Sequence, residues 1–268
     1  MRSIIVLAIT TLKGGVRDRL LQGLILVGFL LIVSTGVFSS FSMRQPFEMA
    51  INYSLSVIHI LSIIMTLFFG LNLISRELDS KENHFVLTQP IPRSSYILGK
   101  FAGFFLNILA IIMILGLFSI AGLLLMTAGA KGSIPFPWLK FLSALLGILF
   151  SCSILGAIIL LFTSVATSSI FPFLMSCAIY AIGENTQTVR RYIASGMVGK
   201  DFPPVFRLLT DIIYYLFPNF ALFDFKAYAI YGLPLSGKLL LISVAYGTMY
   251  AAVCLFFAVM VFERRDIL

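Results

Sequence analysis

Apolar residues fill six long runs along this chain, and the polar positions between them gather into a few short, dense segments. The runs are 20–41, 49–74, 98–127, 138–163, 170–183 and 238–262. A bilayer core about 30 Å thick needs about 20 apolar residues in a helix rising about 1.5 Å each. Five runs meet that length, and 98–127 is long enough to tilt. The run 170–183 is shorter, so it predicts a short or broken helix, with Pro172 suited to its first turn. The pattern predicts an all-α polytopic membrane protein with six transmembrane helices in a single domain, 1–268.

Three segments outside the runs have patterns of their own. In 3–19, Ile4, Ala8, Leu12 and Val16 share a helical face with Ile5 and Ile9, while Thr10, Lys13 and Arg17 lie opposite. That predicts an interfacial helix with basic residues at the headgroups. In 184–237, Val189, Tyr192, Ile193 and Met197 follow 3–4 spacing until Gly199 and Pro203-Pro204 interrupt it. Val205, Leu208, Leu209, Ile212, Ile213 and Leu216 resume it before Pro218, and a third short helix is expected over 222–231. These outer helices serve either as a lid packed on the bundle or as a substrate-facing surface.

The third segment, 75–97, concentrates charge. Arg76, Glu77, Asp79, Lys81, Glu82, Arg93, Lys100 and the titratable His84 fall between 74 and 101. Ile74, Leu78 and Phe85 form an apolar stripe, and Glu77 precedes Lys81 in the favourable i,i+4 order. Pro90 and Pro92 stop the helix, and Ser94 or Ser95 is placed to cap the next one. A purely topogenic loop needs only Lys and Arg. A stiff amphipathic helix of mixed sign suits docking into a groove of another protein.

Composition agrees with the pattern. The 268 residues are 60% hydrophobic and 11% charged, with a net charge of +8; soluble domains average about 25% charged residues. The basic residues flank apolar runs, which assigns them to topology and anionic headgroups and not to nucleic acid. With the N-terminus inside, the short inner segments hold Arg2, Lys13, Arg17, Arg19, Arg76, Lys81, Arg93, Lys100, Arg264 and Arg265. The short outer loops hold only Arg44, Lys131 and Lys140. Both termini are therefore expected in the cytoplasm of a cell that carries this chain in its cytoplasmic (inner) membrane. No cleavable signal peptide is expected. Cys152, Cys177 and Cys254 all sit in apolar runs and are expected to be small buried hydrophobes.

No G-x-x-x-x-G-K-[ST] phosphate loop, G-x-S-x-G or HExxH occurs in the sequence. No catalytic residue and no metal ligand set is expected, and energy must come from a partner. Four polar residues fall inside or at the edges of apolar runs: Asn52, His59, Asn72 and Asn107. An ionisable His59 at membrane depth is either a functional group or a neutral imidazole bonded to a neighbouring carbonyl or hydroxyl.

Several stretches together resemble ABC-2-type transporter permeases, in particular the subgroup with the nitrous-oxide-reductase maturation permease. They are TLKGGVRDRLL, ISREL, QPIPRSSYILGKF, AIYAIGENTQTVRR, LFPNFALFDFKAYAIYGLPLS and FERRDIL, in that order along nearly the whole chain. The resemblance implies a homodimer paired with two copies of a separate ATPase subunit, which itself binds ATP and Mg. It implies that the 75–97 segment is a cytoplasmic coupling helix seated in the ATPase. Arg76, Glu77, Leu78, Lys81 and Phe85 would then make contacts, with Pro90, Pro92 and Arg93 shaping the return. The chain departs from many relatives at Glu82-Asn83 and His84, where they carry a Gly-Thr or Arg-Thr pair.

The expected function is thus a permease subunit, an exporter by family resemblance, not an enzyme by itself. One alternative is a mechanical transmitter acting on an extracytoplasmic protein. Another is an ATP-independent membrane scaffold or channel. Besides the ATPase and a second copy, the expected partners are membrane lipid and an extracytoplasmic protein.

Overall fold

The computed structural model describes residues 2–42, 44–79, 92–129, 136–166, 168, 170–195 and 204–264, and all regular structure among them is helical. The helices are α1 (Arg2–Arg17), α2 (Arg19–Val33), α3 (Thr35–Ser40), α4 (Pro46–Asp79), α5 (Arg93–Gly129), α6 (Trp138–Val165) and α7 (Ile170–Ala194). After them come α8 (Pro204–Leu216), a 3₁₀ turn (Phe220–Phe223), α9 (Lys226–Ile230) and α10 (Gly237–Arg264).

Ring contacts fix the two ends of the bundle. Tyr96 stacks on Phe262 at 5.8 Å, Phe69 on Phe104 at 5.8 Å, and Phe162 meets Phe171 at 6.1 Å. The end of α4, the start of α5, the end of α6, the start of α7 and the end of α10 therefore lie together. This is the proximal end. At the distal end Phe47 meets Phe136 at 6.4 Å, and the Lys140 ammonium donates to the Gly232 carbonyl.

Helix α6 is the centre. It is apolar all round, the property of a helix covered on every side, and its buried residues run from Phe141 to Ser164. Helices α4, α5, α7 and α10 pack around it, while α2 at the rim is mostly exposed. Hydroxyls inside the bundle return their protons to the preceding turn. Ser153 Oγ donates to the Leu149 carbonyl at 2.6 Å, and Thr66 and Thr163 donate to Ser62 and Ile159 at 2.7 Å each.

Among the described residues, five helical stretches are long and apolar enough to cross a membrane: Arg19–Ser40, Pro46–Gly70, Ser94–Thr127, Trp138–Val165 and Gly237–Arg264. Helix α7 is not among them, because only its first half is apolar. Its contacts nevertheless carry it from the proximal end, at Phe171, to the distal end, where Gly183 lies against the Pro218 carbonyl. The distal pair Leu208–Leu216 and Phe220–Ile230, bent by 56°, is apolar enough to be counted as one broken span. Its connections argue for re-entry instead. It follows α7 at the distal end and leads, through Gly232 at Lys140, into α10 at that same end.

Several expectations change in detail. The 3–4 spacing at Val189, Tyr192 and Ile193 belongs to the end of α7 and not to a separate helix, because no breaker interrupts the turns after Gly183. Helix α5 begins at Arg93, where the Pro92 carbonyl accepts from Ser95 N–H at 2.9 Å and Tyr96 N–H at 3.3 Å. Ser94 and Ser95 thus lie inside the first turn. The helix expected over 222–231 is a 3₁₀ turn followed by the five-residue α9.

Helix α1 buries a different stripe from the one its apolar spacing suggests. Ala8, Thr11 and Gly15 are buried, whereas Ile5, Ile9 and Val16 are exposed. The reason lies on α5. Gly99 and Gly103 open a groove into which Leu7, Ala8 and Thr11 fit; a Cβ on Gly103 would stand 2.5 Å from Thr11 Cβ and 2.7 Å from the Ala8 carbonyl. Small residues permit such close approach. Asn107, 3% exposed, closes the seam, its Nδ2 donating to the Thr11 carbonyl at 3.2 Å and the Gly103 carbonyl at 3.0 Å.

The seam gives a direct test. Gly103→Val should lower stability by about 1–3 kcal/mol, the usual cost of overpacking. Gly14, one position from the seam, has nothing within 4 Å of an added Cβ. Gly14→Ala should therefore raise stability by about 0.5–1 kcal/mol through helix propensity. Thermal unfolding of the two purified variants in the same detergent checks both signs.

Candidate functional site

The four polar residues of the apolar runs do not come together. Asn107 is consumed by the α1–α5 seam. Asn52 is exposed, and its Oδ1 accepts from Ser56 Oγ at 3.5 Å. Asn72 lies on α4 past the last residue whose side chain is described. His59 is different, because the fold brings a charged cluster to it.

His59 stands on α4 ten residues beyond the start of the run at 49, about 15 Å along the helix and so about half-way through a bilayer core. Lys226, the first residue of α9, reaches it from the re-entrant hairpin, with Nζ 3.0 Å from His59 Nδ1. An ammonium carries only donors. Nδ1 therefore accepts, and the imidazole is neutral with its proton on Nε2. Asp224 sits two residues before Lys226, and its Oδ1 accepts the N–H of Lys226, the first residue of α9, at 3.2 Å. Glu184, the residue after Gly183 on α7, completes the group.

His59, Glu184, Asp224 and Lys226 line a small cavity of about 10 Å³, enough for one water. Ser151 of α6 and Phe220, Phe223 and Phe225 of the hairpin close it. Charged groups at this depth are stable only when they face one another and not lipid.

Above this floor lies a larger cavity of about 520 Å³. Glu184, Gln187, Thr188 and Arg191 form one wall, at helical spacing along α7. Leu222, Asp224, Phe225 and Tyr228 of the hairpin form the other, and Leu239 of α10 stands at the edge. A second contact ties the end of α7 to α8. Arg190 meets Asp211 of α8 at 3.0 Å and lies over the Tyr214 ring at 4.2 Å, which clamps α8 to the end of α7. Both partners of that ion pair are well exposed, so its worth is mostly positional.

Sequence reasoning singled out His59 and missed Glu184, Asp224 and Lys226. The available signal was the placement of two charges of opposite sign, Asp224 and Lys226, inside the apolar stretch 220–233.

The proximal candidates are placed only in part. Arg76, Glu77 and Leu78 lie on the last turns of α4, which runs unbroken to Asp79. Pro92 is exposed just before α5, and Arg93 begins that helix. Lys81, Phe85 and Pro90 lie outside the described residues.

A family model described as ABC-2 family transporter protein matches residues 19–184. No curated protein matches the chain.

The Lys226–His59 contact should show energetic coupling. Lys226→Met leaves Glu184 and Asp224 without their nearest cation and is expected to cost about 1–3 kcal/mol. His59→Leu should cost less. In a double-mutant cycle by thermal unfolding the two should be non-additive by at least about 0.5 kcal/mol. Strict additivity would mean that the 3.0 Å contact carries no energy.

Proposed function

The chain belongs to the ABC-2 transporter family, and from that premise we propose that it is the membrane-spanning permease subunit of an ATP-binding cassette exporter. The family match over 19–184 carries the reading, because that stretch contains the 80–91 connection and the two helices that bracket it. ABC-2 permeases generally pair with an ABC ATPase subunit and are not themselves catalytic. In this reading two copies of the chain form a homodimer in the cytoplasmic membrane, with both termini and the proximal end inside. Two ATPase copies, holding ATP and Mg, dock on 75–97 through Arg76, Glu77, Leu78, Lys81 and Phe85. Helix α1 lies in the membrane interface, with Ile5, Val6, Ile9 and Val16 toward lipid. The likeness to the nitrous-oxide-reductase maturation permeases belongs to the same reading.

The mechanical alternative is favoured by one observation. Helix α7 is continuous over 25 residues, about 37 Å at 1.5 Å per residue, and ends in the Arg190 clamp on α8. A rigid rod of this kind can carry a proximal displacement to a distal protein without moving a substrate. An ATP-independent scaffold or channel is the reading that loses ground if an ATPase partner is found.

Native mass spectrometry of the chain expressed with a candidate ATPase tests the proposal. Two copies of each are expected. A homo-oligomer that binds no ATPase under any nucleotide condition would overturn it. Within the complex, Glu77→Lys combined with Lys81→Glu should reduce ATPase co-purification at least about tenfold, the loss of about 1.4 kcal/mol. Yield and thermal stability of the chain should stay unchanged. Undiminished ATPase binding by the double variant would remove 75–97 as the docking segment.

A further inference from the structure

One hydrogen bond joins the re-entrant hairpin to α4 at mid-depth, and it works in only one protonation state. Lys226 Nζ donates to His59 Nδ1 at 3.0 Å. An imidazole that gains a second proton has two N–H donors and no acceptor. Nδ1–H would then face an ammonium across 3.0 Å, donor against donor and positive charge against positive charge. The contact cannot survive that change. Imidazole is also the side chain that makes the change within ordinary pH, near about 6.5 when unperturbed.

The surroundings give Lys226 a second place to bind and give protons a way in. Glu184 of α7 and Asp224 of the hairpin line the same small cavity as His59 and Lys226. Tyr180, one turn below Glu184 on α7, lies against Phe220 at 5.1 Å and completes the titratable groups around His59. Helix α6 contributes Ser151 and no charge to the lining, and α2, α3 and α5 contribute none of it. Glu184, Asp224 and Phe225 also line the larger distal cavity of about 520 Å³, so the two spaces meet at these residues. Asp224 is exposed there, as are Thr188 and Arg191 higher on the α7 wall. The small cavity is thus reached from the distal side and not from lipid.

We propose that the His59–Lys226 contact is a proton-operated latch, which holds the re-entrant hairpin on α4 while His59 is neutral and opens when a proton from the distal side binds Nδ1. Lys226 keeps its own three protons and turns to Glu184 and Asp224. The hairpin loses its tie to α4 but keeps those to α10, where Asn219 N–H donates to Tyr246 Oη and Ser243 Oγ donates to the Leu222 carbonyl. The open state is therefore a local opening of the distal end and not unfolding. This device goes beyond the permease reading and lies within one chain. Absence of an ATPase partner would sink the permease reading alone, and a hairpin indifferent to protons would sink the latch alone.

The test is hydrogen–deuterium exchange of the full chain in phosphatidylcholine nanodiscs at about pH 8 and about pH 5, the limits between which a free imidazole changes charge. Exchange times are scaled for the chemical rate at each pH. Peptides covering 217–232 are expected to exchange at least about tenfold faster at the lower pH, and peptides of α6 to stay unchanged. His59→Gln keeps a neutral acceptor for Lys226 and cannot take the proton, so its hairpin should stay protected at both pH values. Lys226→Met removes the donor, and its hairpin should exchange fast at both. If either variant does not fold, the imidazole itself decides. The chain has two histidines, so His84→Asn leaves His59 alone. In that chain labelled with ¹⁵N-histidine, NMR should show Nδ1 without a proton at about pH 8 and protonated at the pH where the hairpin opens. Hairpin exchange that is equal at the two pH values would overturn the latch. So would an equally large acid response in folded His59→Gln, or a His59 that gains its proton while the hairpin stays closed.

Discussion

Backbone that leaves a helix inside a membrane protein must find hydrogen-bond partners in protein, because lipid supplies none. The distal hairpin of this chain lives under that constraint. Its non-helical residues, 217–219 and 224–225, sit against the centre of the bundle. Helix α10 supplies the partners: the Asn219 N–H donates to Tyr246 Oη at 3.0 Å, and Ser243 Oγ donates to the Leu222 carbonyl at 3.2 Å. Two glycines supply the room. The Pro218 carbonyl lies against Gly183 and the Phe223 carbonyl against Gly147, where any side chain would collide with backbone. Everything else at the distal end follows from that seating. It carries Lys226 down to His59, brings Asp224 beside Glu184, and leaves a cavity over the pair.

How much of this could be read from the sequence depended on the range of the interaction. Long apolar runs report burial in lipid or core, a local property, and the runs 49–74, 98–127, 138–163 and 238–262 map onto α4, α5, α6 and α10 with ends shifted by a few residues. The proline signals also worked locally: Pro92 marks the start of α5 and Pro218 the end of α8. What failed was the choice of face. Helix α1 has more apolar residues than one neighbour can cover, so its spacing cannot say which stripe is buried. The decision sits on α5, about 90 residues away, in the groove at Gly99 and Gly103. Val6 and Leu7, both apolar and both outside the stripe of Ile4, Ala8, Leu12 and Val16, split once the groove is known. Leu7 enters it and Val6 stays exposed.

The candidate site was legible only by halves. His59 stands out because an ionisable residue in an apolar run demands a partner. The partner could not be named, since Lys226 lies 167 positions away on a re-entrant segment that hydropathy alone cannot distinguish from a span. Glu184 was hidden for another reason. It begins the polar half of α7, which reads as the end of a span followed by a separate outer helix. In the fold the helix continues, so the residues after Gly183 become a wall.

The two ends of the bundle are mechanically joined by α4. Glu77 and His59 are on one unbroken helix, 18 residues or about 27 Å apart. A helix with its interior hydrogen bonds intact is stiff, so a displacement of its proximal end is carried toward His59. The His59–Lys226 contact is short-ranged. At 3.0 Å it is a hydrogen bond, and 1 Å of separation ends it. Breaking it frees the Lys226 ammonium beside Glu184 and Asp224, the carboxylates that floor the larger cavity. Lys226 would then be free to pair with those carboxylates. That pairing and the α4 contact draw on one side chain, and by linkage each must change the other's stability by the same amount. That reciprocity needs no wire of intermediate residues. It needs only that Lys226 cannot serve His59 and the carboxylates equally well at once.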